Sequence, residues 1–401
     1  MRTGLVKRTP VRCPFVADEN GSYEVSYYEV GDRRLARAGA TLSRRVENGR
    51  GIWRLELPRL NGEGLSLEQA GGPVSPPGRI GRVLPAYLRG SEPTQVARVR
   101  LRGEDVEVLE GELPEGDDQP ADDPIGLIRA MLGRQYAEIL RHDPGVRLDL
   151  DAEDVHRLRV AVRRARAVLR AARGVLDPEW SEPLRAELKW LGGSFGPRRD
   201  LDVLLARLRS EVAELDQPER TAADALIESL EAEREGAQAL AAEALASDRY
   251  FQLLDSLEAA VRGPRVRRGE VSLAKLAARE FNRLRKVARR LGPESTDDEL
   301  HRARILGKRA RYAAELAEPE AGKPARQVVA RAKAFQDVLG AHQDAIVAEA
   351  RLRGLLAEPT GSGAAFAAGR LVERERERRV EARSELPKAW RALDRAARKA
   401  W

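Results

Sequence analysis

A single cysteine, Cys13, serves all 401 residues, which leaves no partner for an intrachain disulfide and no thiolate set for a metal. Such usage fits a reducing cytoplasm. Aromatic side chains make up only 4% of the chain, while the 42% that is apolar is mostly Ala, Leu and Val, a balance that suits packed helices better than sheet sandwiches. No apolar run approaches the roughly 18 to 20 residues that span a bilayer. The opening stretch MRTGLVKRTPVRCPFV holds no apolar segment long enough for a secretory signal. A soluble, cytoplasmic protein with no membrane partner is therefore expected. Also missing are a P-loop, an H-E-x-x-H pair, a Gly-rich dinucleotide fingerprint and a nucleophile with a base beside it. No catalytic residue, metal ligand or cofactor is expected on those grounds. What the chain does have is charge: 71 Lys plus Arg against 64 Asp plus Glu, a net of +7. That surplus is modest for the length, so its placement must carry the argument.

Residues 1–110 are rich in Gly, Pro, Val and Arg, and the alternating stretches SYEVSYYEV, GIWRLELP, TQVARVRLR and DVEVLEGEL read as strands. Residues 111–123, with the proline that follows, read GELPEGDDQPADDP, with six acids and no base among prolines, and predict an acidic linker. From 124 to 401 the apolar period is that of helices. These are expected near 124–142, 153–174, 181–212, 217–262, 271–291, 298–317, 324–357 and 362–400, punctuated at Asp143-Pro144-Gly145, Asp177-Pro178, Gly263-Pro264, Gly292-Pro293 and Glu318-Pro319.

Within that region a pattern recurs. Residues 156–166 read HRLRVAVRRAR and residues 301–311 read HRARILGKRAR, so that His156, Arg157, Arg159, Arg164, Ala165 and Arg166 reappear 145 positions later. Lys189, Gly196 and Asp200 match Lys333, Gly340 and Asp344 at an offset of 144. Two motifs repeating in register predict a duplicated four-helix unit, with repeat one at 124–262 and repeat two at 270–401.

At about 100° per residue, His156, Arg159, Arg163, Arg166 and Arg170 form one narrow stripe, and His301, Arg304, Lys308 and Arg311 form its equivalent. The opposite faces carry Leu158, Val162, Ala165 and Leu169, and Ala303, Leu306, Ala310 and Ala314. A solvated face usually mixes signs, yet residues 156–173 hold seven arginines and no acid. Like charges at i,i+3 and i,i+4 repel by a few tenths of a kcal/mol per pair, so an unbroken stripe used twice points to a polyanion that neutralises it. Arginine donates paired hydrogen bonds to phosphate oxygens. Stripe positions advance by about 4 to 6 Å, which suits a chain of phosphates. His156 and His301 head the stripes, predicting affinity that strengthens as pH falls through the histidine range. Lys189 and Lys333 extend the basic surface from a neighbouring helix on the strength of matched spacing alone. Arg199, with Gln343 opposite it in the repeat, is a further candidate phosphate contact, set in a turn in which Asp200 and Asp344 are expected to be structural. Arg164 and Arg309 point off the stripe and are taken as flanking residues.

The segments HRLRVAVRRAR with LGGSFGPRRDLDVLL, and HRARILGKRARYAAEL with VLGAHQDAIV, resemble the conserved histidine α-helical (CHAD) domain family over about residues 124–400. The resemblance implies a mainly all-α, pseudo-twofold tandem of two four-helix bundles, with a central basic groove that binds inorganic polyphosphate and association with polyphosphate granules. The matching positions are His156, Arg159, Arg163, Arg166, His301, Arg304, Lys308 and Arg311, with Lys189 and Lys333 beside them. Gln343, standing where the first copy has Arg199, departs from a strict twofold. The N-terminal stretch YYEVGDRRLARAGATLSRR with GIWRLELP is similar to the CYTH, or triphosphate-tunnel, family. That family's E-x-E-x-K motif is absent, Glu56 stands where a base is expected, and Ser43 replaces the leading arginine of the L-R-x-R strand. This reads as a degenerate, inactive relic that adds positive surface near Arg44, Arg45, Arg98, Arg100 and Arg102.

Two other readings stand beside polyphosphate binding. A generic polyanion or nucleic-acid binder would use the same stripes on phosphate backbones, although aromatics for base stacking are scarce near them apart from Tyr312. A residual triphosphate hydrolase in residues 1–110 would need carboxylates for a metal, and these are lacking.

Overall fold

A computed structural model describes residues 22–47, 49–58, 64–102, 105–112, 124–214, 216–267, 272–292, 294–355 and 362–401. Cys13 and residues 113–123 of the expected linker lie outside them. The chain divides into two compact units. One comprises Met1–Pro120 with Ala137–Leu158 and Leu245–Leu254, and the other comprises Ala121–Tyr136, Arg159–Ala244 and Asp255–Trp401.

The first unit is built on six antiparallel strands in the order β4-β3-β2-β1-β5-β6. They are β1 (Ser22–Glu29), β2 (Thr41–Glu47), β3 (Arg50–Leu57), β4 (Leu65–Ala70), β5 (Thr94–Arg102) and β6 (Asp105–Gly111), with short helices α1 (Arg34–Arg37), α2 (Gly78–Val83) and α3 (Pro85–Leu88) between them. The alternating apolar residues of β1 and β5 supply a core of Val25, Tyr27, Ala97, Val99 and Leu101, as period-two patterning requires. This small sheet is consistent with the CYTH-like part expected from the sequence. The expected positive surface is a different matter. Arg45 bonds Glu68 at 2.9 Å, Arg100 bonds Glu24 at 2.7 Å, and Arg98 lies 3.9 Å from Glu24 and 3.8 Å from Glu110. Cross-strand register sets Arg100 opposite both Glu24 and Glu107, so acids on neighbouring strands neutralise Arg98 and Arg100, while Glu68 of β4 reaches Arg45 of β2 across β3.

Asp143-Pro144-Gly145, expected to end a helix, lies inside α4 (Pro124–Arg147). Proline removes the N–H that would bond the carbonyl four residues back. That carbonyl, of Leu140, instead accepts from the Tyr87 hydroxyl at 2.9 Å, which replaces the lost bond. Asp143 is fully buried, held by Arg147 Nε at 2.6 Å and by the Tyr250 hydroxyl at 2.9 Å. Burial pushes its carboxyl up, against the pull of both partners.

The helical region continues with α5 (Ala152–Ala171), α6 (Pro178–Ser194), α7 (Gly196–Val212), α8 (Gln217–Ala246), α9 (Asp248–Arg262), α10 (Leu273–Ala288), α11 (Asp297–Leu355) and α12 (Ser362–Ala400). Asp177 caps α6 by accepting from the Glu179 N–H at 3.0 Å, with Pro178 in the first turn. The break expected at Glu318-Pro319 falls instead at Gly322, whose φ of 64° and ψ of −141° divide α11 into two limbs. The element order is therefore that of a mainly all-α tandem of two four-helix bundles: α4, α5, α6 with α7, and α8 with α9 match α10, the two limbs of α11, and α12. Phe281, Leu300, Ala310, Phe335, Leu339 and Leu393 form a core from α10, α11 and α12. Leu205, Val212 and Leu230 of the first repeat share a second core with Leu352 and Leu371 of the second, so the repeats are fused rather than strung in line.

The repeats also compensate for each other's bulk. Val162 packs where a Cβ on Gly192 would lie 3.4 Å from its Cγ1. In the second copy the small residue is Gly307 on the equivalent of the valine's helix, and the bulk is Gln336, whose amide donates to the Gly307 carbonyl at 3.0 Å.

Candidate functional site

The apolar faces fixed by the helical period pin the two stripe helices down. Leu158, Ala161, Val162, Ala165 and Leu169 are buried on α5, and Ala303, Ala310, Ala313 and Ala314 are buried on α11. Their cationic faces are thereby turned away from the cores. Within the helical unit they meet at a cleft of about 540 Å³ lined by Arg163 from α5, Arg207 from α7, and Arg304, Lys308, Arg311 and Tyr312 from the first limb of α11. The second limb closes it with Gln336, Asp337, Gly340, Ala341 and Asp344.

Each lining cation is held differently. Arg163 Nε donates to the Tyr312 hydroxyl at 3.0 Å. Arg311 lies with its guanidinium 4.7 Å from the Tyr312 ring centroid and its Nε 3.3 Å from Glu315. Arg304 has a buried Nε with no hydrogen-bond acceptor among the described residues. Burial, then Arg163, pulls its guanidinium down, while Asp344 and Asp200 pull the other way. Lys308 shows the crowding most clearly: burial first, then Arg304 and Arg163, lower its ammonium to about 8. Among the described residues, none of Arg163, Arg304 and Lys308 has a carboxylate at ion-pair distance.

The remaining expected residues are distributed around this centre. Arg159 lies on the same stripe of α5, one turn before Arg163, with Nη2 3.6 Å from Asp200 and Nη1 3.4 Å from the Gly192 carbonyl. A Cβ on Gly196 would come within 2.9 Å of that guanidinium, so the glycine makes room for it. Arg199 is half-buried next to Asp200, which feels the fields of Arg159, Asp344, Arg199 and Arg304. The aspartates expected to be structural thus belong to the electrostatics of the site. Arg166 and Arg170 continue the stripe beyond the cleft lining. Lys189 and Lys333 are exposed, and Lys333 stands one turn from Asp337 on a lining limb. His156 is half-buried and His301 exposed. Neither is among the lining residues. Gln343, where the first repeat has Arg199, is spent on His301, its side-chain oxygen 2.9 Å from Nδ1.

Sequence reasoning missed Arg207 and Gln336, noted Tyr312 only as an aromatic near the stripes, and also missed Arg185, whose field reaches Arg166 and Arg170. A search guided by the repeat could not find Arg185 or Tyr312, because Val329 and Ala167 occupy their equivalents. Among the described residues no group of three His, Cys, Asp or Glu side chains is placed to hold a metal ion, and no helix is long and apolar enough to cross a membrane.

Comparison with known proteins agrees with this architecture. Two Mycobacterium tuberculosis proteins, MT2285 and Rv2226, are each 31% identical over 302 residues, covering 72% of this chain and 56% of their own length. The chain therefore matches little more than half of each relative. The crystal structure of the CHAD domain from the plant Ricinus communis superposes with a TM-score of 0.56 at 28% identity, covering 69% of this chain and 95% of that one. PptA from Streptomyces chartreusis shares the fold with a TM-score of 0.56 at 24% identity, covering 67% and 99%. The CHAD domain model matches residues 130–353, a span that takes in both histidine-headed stripes and more than half the sequence; the chain belongs to the CHAD domain family.

Proposed function

We propose that the cleft binds inorganic polyphosphate and that the protein acts by binding rather than by catalysis. The observation that carries this reading is the meeting of Arg163 from one repeat with Arg304 and Lys308 from the other, none of them with a carboxylate at ion-pair distance among the described residues. Holding three cations together costs free energy that an anion of high charge density recovers. Guanidinium groups on two helices, spaced by turns of about 5.4 Å, suit repeated phosphates better than a single one. Binding of this kind would bring the protein to polyphosphate granules.

Base stacking finds little support at the cleft, which favours polyphosphate over single-stranded nucleic acid. Tyr312, the one aromatic among the lining residues, is only 5% exposed and its hydroxyl is taken by Arg163.

The test is binding of long-chain polyphosphate by the full chain and by an Arg159→Glu, Arg304→Glu double variant, with folding followed by circular dichroism. Loss of binding with helicity intact is expected. Wild-type protein that ignores polyphosphate, or from which duplex DNA at equal phosphate concentration displaces it with equal ease, would sink the assignment.

A further inference from the structure

The duplication predicts two equivalent ends to the cationic cleft, and the side chains break that equivalence. At the offset of 145, Arg164 pairs with Arg309 and Arg166 with Arg311, but Arg170 pairs with Glu315. On one side Glu315 lies 3.3 Å from Arg311 and within the fields of Arg311 and Arg164. That end carries its own counter-charge. On the other side the equivalent place holds Arg170, and it faces Arg309 and Arg185.

Crowding at this second end is substantial. Burial first, then Arg309 and Arg185, draws the Arg170 guanidinium down, and burial with Arg185 does the same to Arg166. Arg309 is lowered by burial and by Arg283 and Arg185, with Glu280 opposing. The nearby acids are Glu182, bonded to Arg185 and 3.2 Å from Arg173, and Glu280, bonded to Arg283. Each is already shared with an arginine of its own. Arg166, Arg170 and Arg309 have no carboxylate at ion-pair distance among the described residues, and the Nε atoms of Arg166 and Arg185 are buried without an acceptor. All four arginines remain partly exposed, so an incoming anion can reach them.

We propose that Arg166, Arg170, Arg185 and Arg309 form a second anion subsite at one end of the cleft only, occupied by the continuation of a long phosphate chain. This rests on the polyphosphate reading above and adds direction and length to it. Arg166 and Arg170 follow Arg163 on the same stripe by about 4.5 and 10 Å of helix rise. A chain seated in the cleft reaches the subsite by running along α5, whereas at the opposite end Glu315 turns it away. Short chains fill the cleft and stop there.

The experiment compares tripolyphosphate with long-chain polyphosphate on the full-length protein. Arg170→Glu, which copies the closed end, should weaken long-chain binding by about tenfold or more, since a charged hydrogen-bonded contact of this kind carries at least that factor. It should also flatten the salt dependence, and leave tripolyphosphate within about twofold of wild type. Glu315→Arg, which copies the open end, should strengthen long-chain binding. Arg309→Gln, a milder change, covers the case in which a charge reversal disturbs folding. The subsite is refuted if Arg170→Glu and Arg309→Gln both keep long-chain affinity within about twofold while Arg163→Glu in the cleft removes it. Absence of binding to either ligand by wild-type protein would instead bring down the polyphosphate reading and the subsite together.

Discussion

On the sheet, Arg45 meets Glu68 at 2.9 Å and Arg100 meets Glu24 at 2.7 Å; in the helical cleft, Arg163, Arg304 and Lys308 meet no carboxylate at comparable distance among the described residues. The sequence of both regions is dense in arginine, and composition alone does not tell them apart. The difference lies in where the acids fall. Strand pairing carries Glu24, Glu68, Glu107 and Glu110 next to the sheet's arginines. The faces of α5 and α11 exclude acids for several turns and then bring two such faces together. A cation whose partner is supplied by the fold is structural, and one whose partner is withheld is available to a ligand.

Charge reversal offers the strongest way to break this contrast. Arg163→Glu with Lys308→Glu should weaken polyphosphate binding by about a hundredfold or more, two charged contacts being lost and two repulsions gained. Arg98→Glu with Arg100→Glu, the same change in net charge on the sheet, should stay within about threefold. Comparable losses from the two pairs, measured by fluorescence anisotropy, would show that overall charge rather than the cleft governs affinity.

Next comes stability. Asp143→Ala strands Arg147 in a buried setting and should cost about 3 to 5 kcal/mol in urea denaturation. Arg45→Ala, which removes the ion pairs with Glu47 and Glu68 at the sheet surface, should cost less than about 1 kcal/mol. Equal costs would erase the distinction between buried and exposed pairs.

The pH profile should sharpen the picture further. An anion in the cleft favours protonated Lys308, whose ammonium sits at about 8 in the free protein. Binding therefore takes up a proton above that value. Affinity should hold steady below about pH 7 and decline as pH climbs through 8 towards 9, and Lys308→Arg should flatten the decline. Affinity that instead falls between pH 5 and 7 and is flat above would return the role to His156 and His301, which the repeat suggested and which lie outside the cleft lining.

The repeat, the stripes and the helical class were legible because each depends on local period and on identity at a fixed offset. Arg159, Arg163, Arg304 and Lys308 could be read that way. Arg185 and Tyr312 could not, having no counterpart at the other repeat, and neither could the acids that silence the sheet's arginines, since Glu24 and Arg100 are 76 residues apart. Pro144 misled for a related reason: the hydroxyl that rescues the helix there belongs to Tyr87, 53 positions before its acceptor. Local rules fail where a distant group supplies the missing half of an interaction.

Gly322 has a consequence for assembly. The 59 residues of α11 would make a straight rod of about 90 Å, and one backbone conformation that only glycine adopts readily folds it back on itself. A β-branched residue there would strain the reversal by about 1 to 3 kcal/mol and favour an outstretched arm. The apolar faces freed in that way would be satisfied by the same arm of another copy, so a Gly322→Val chain should populate domain-swapped dimers in which each cleft is assembled from two polypeptides.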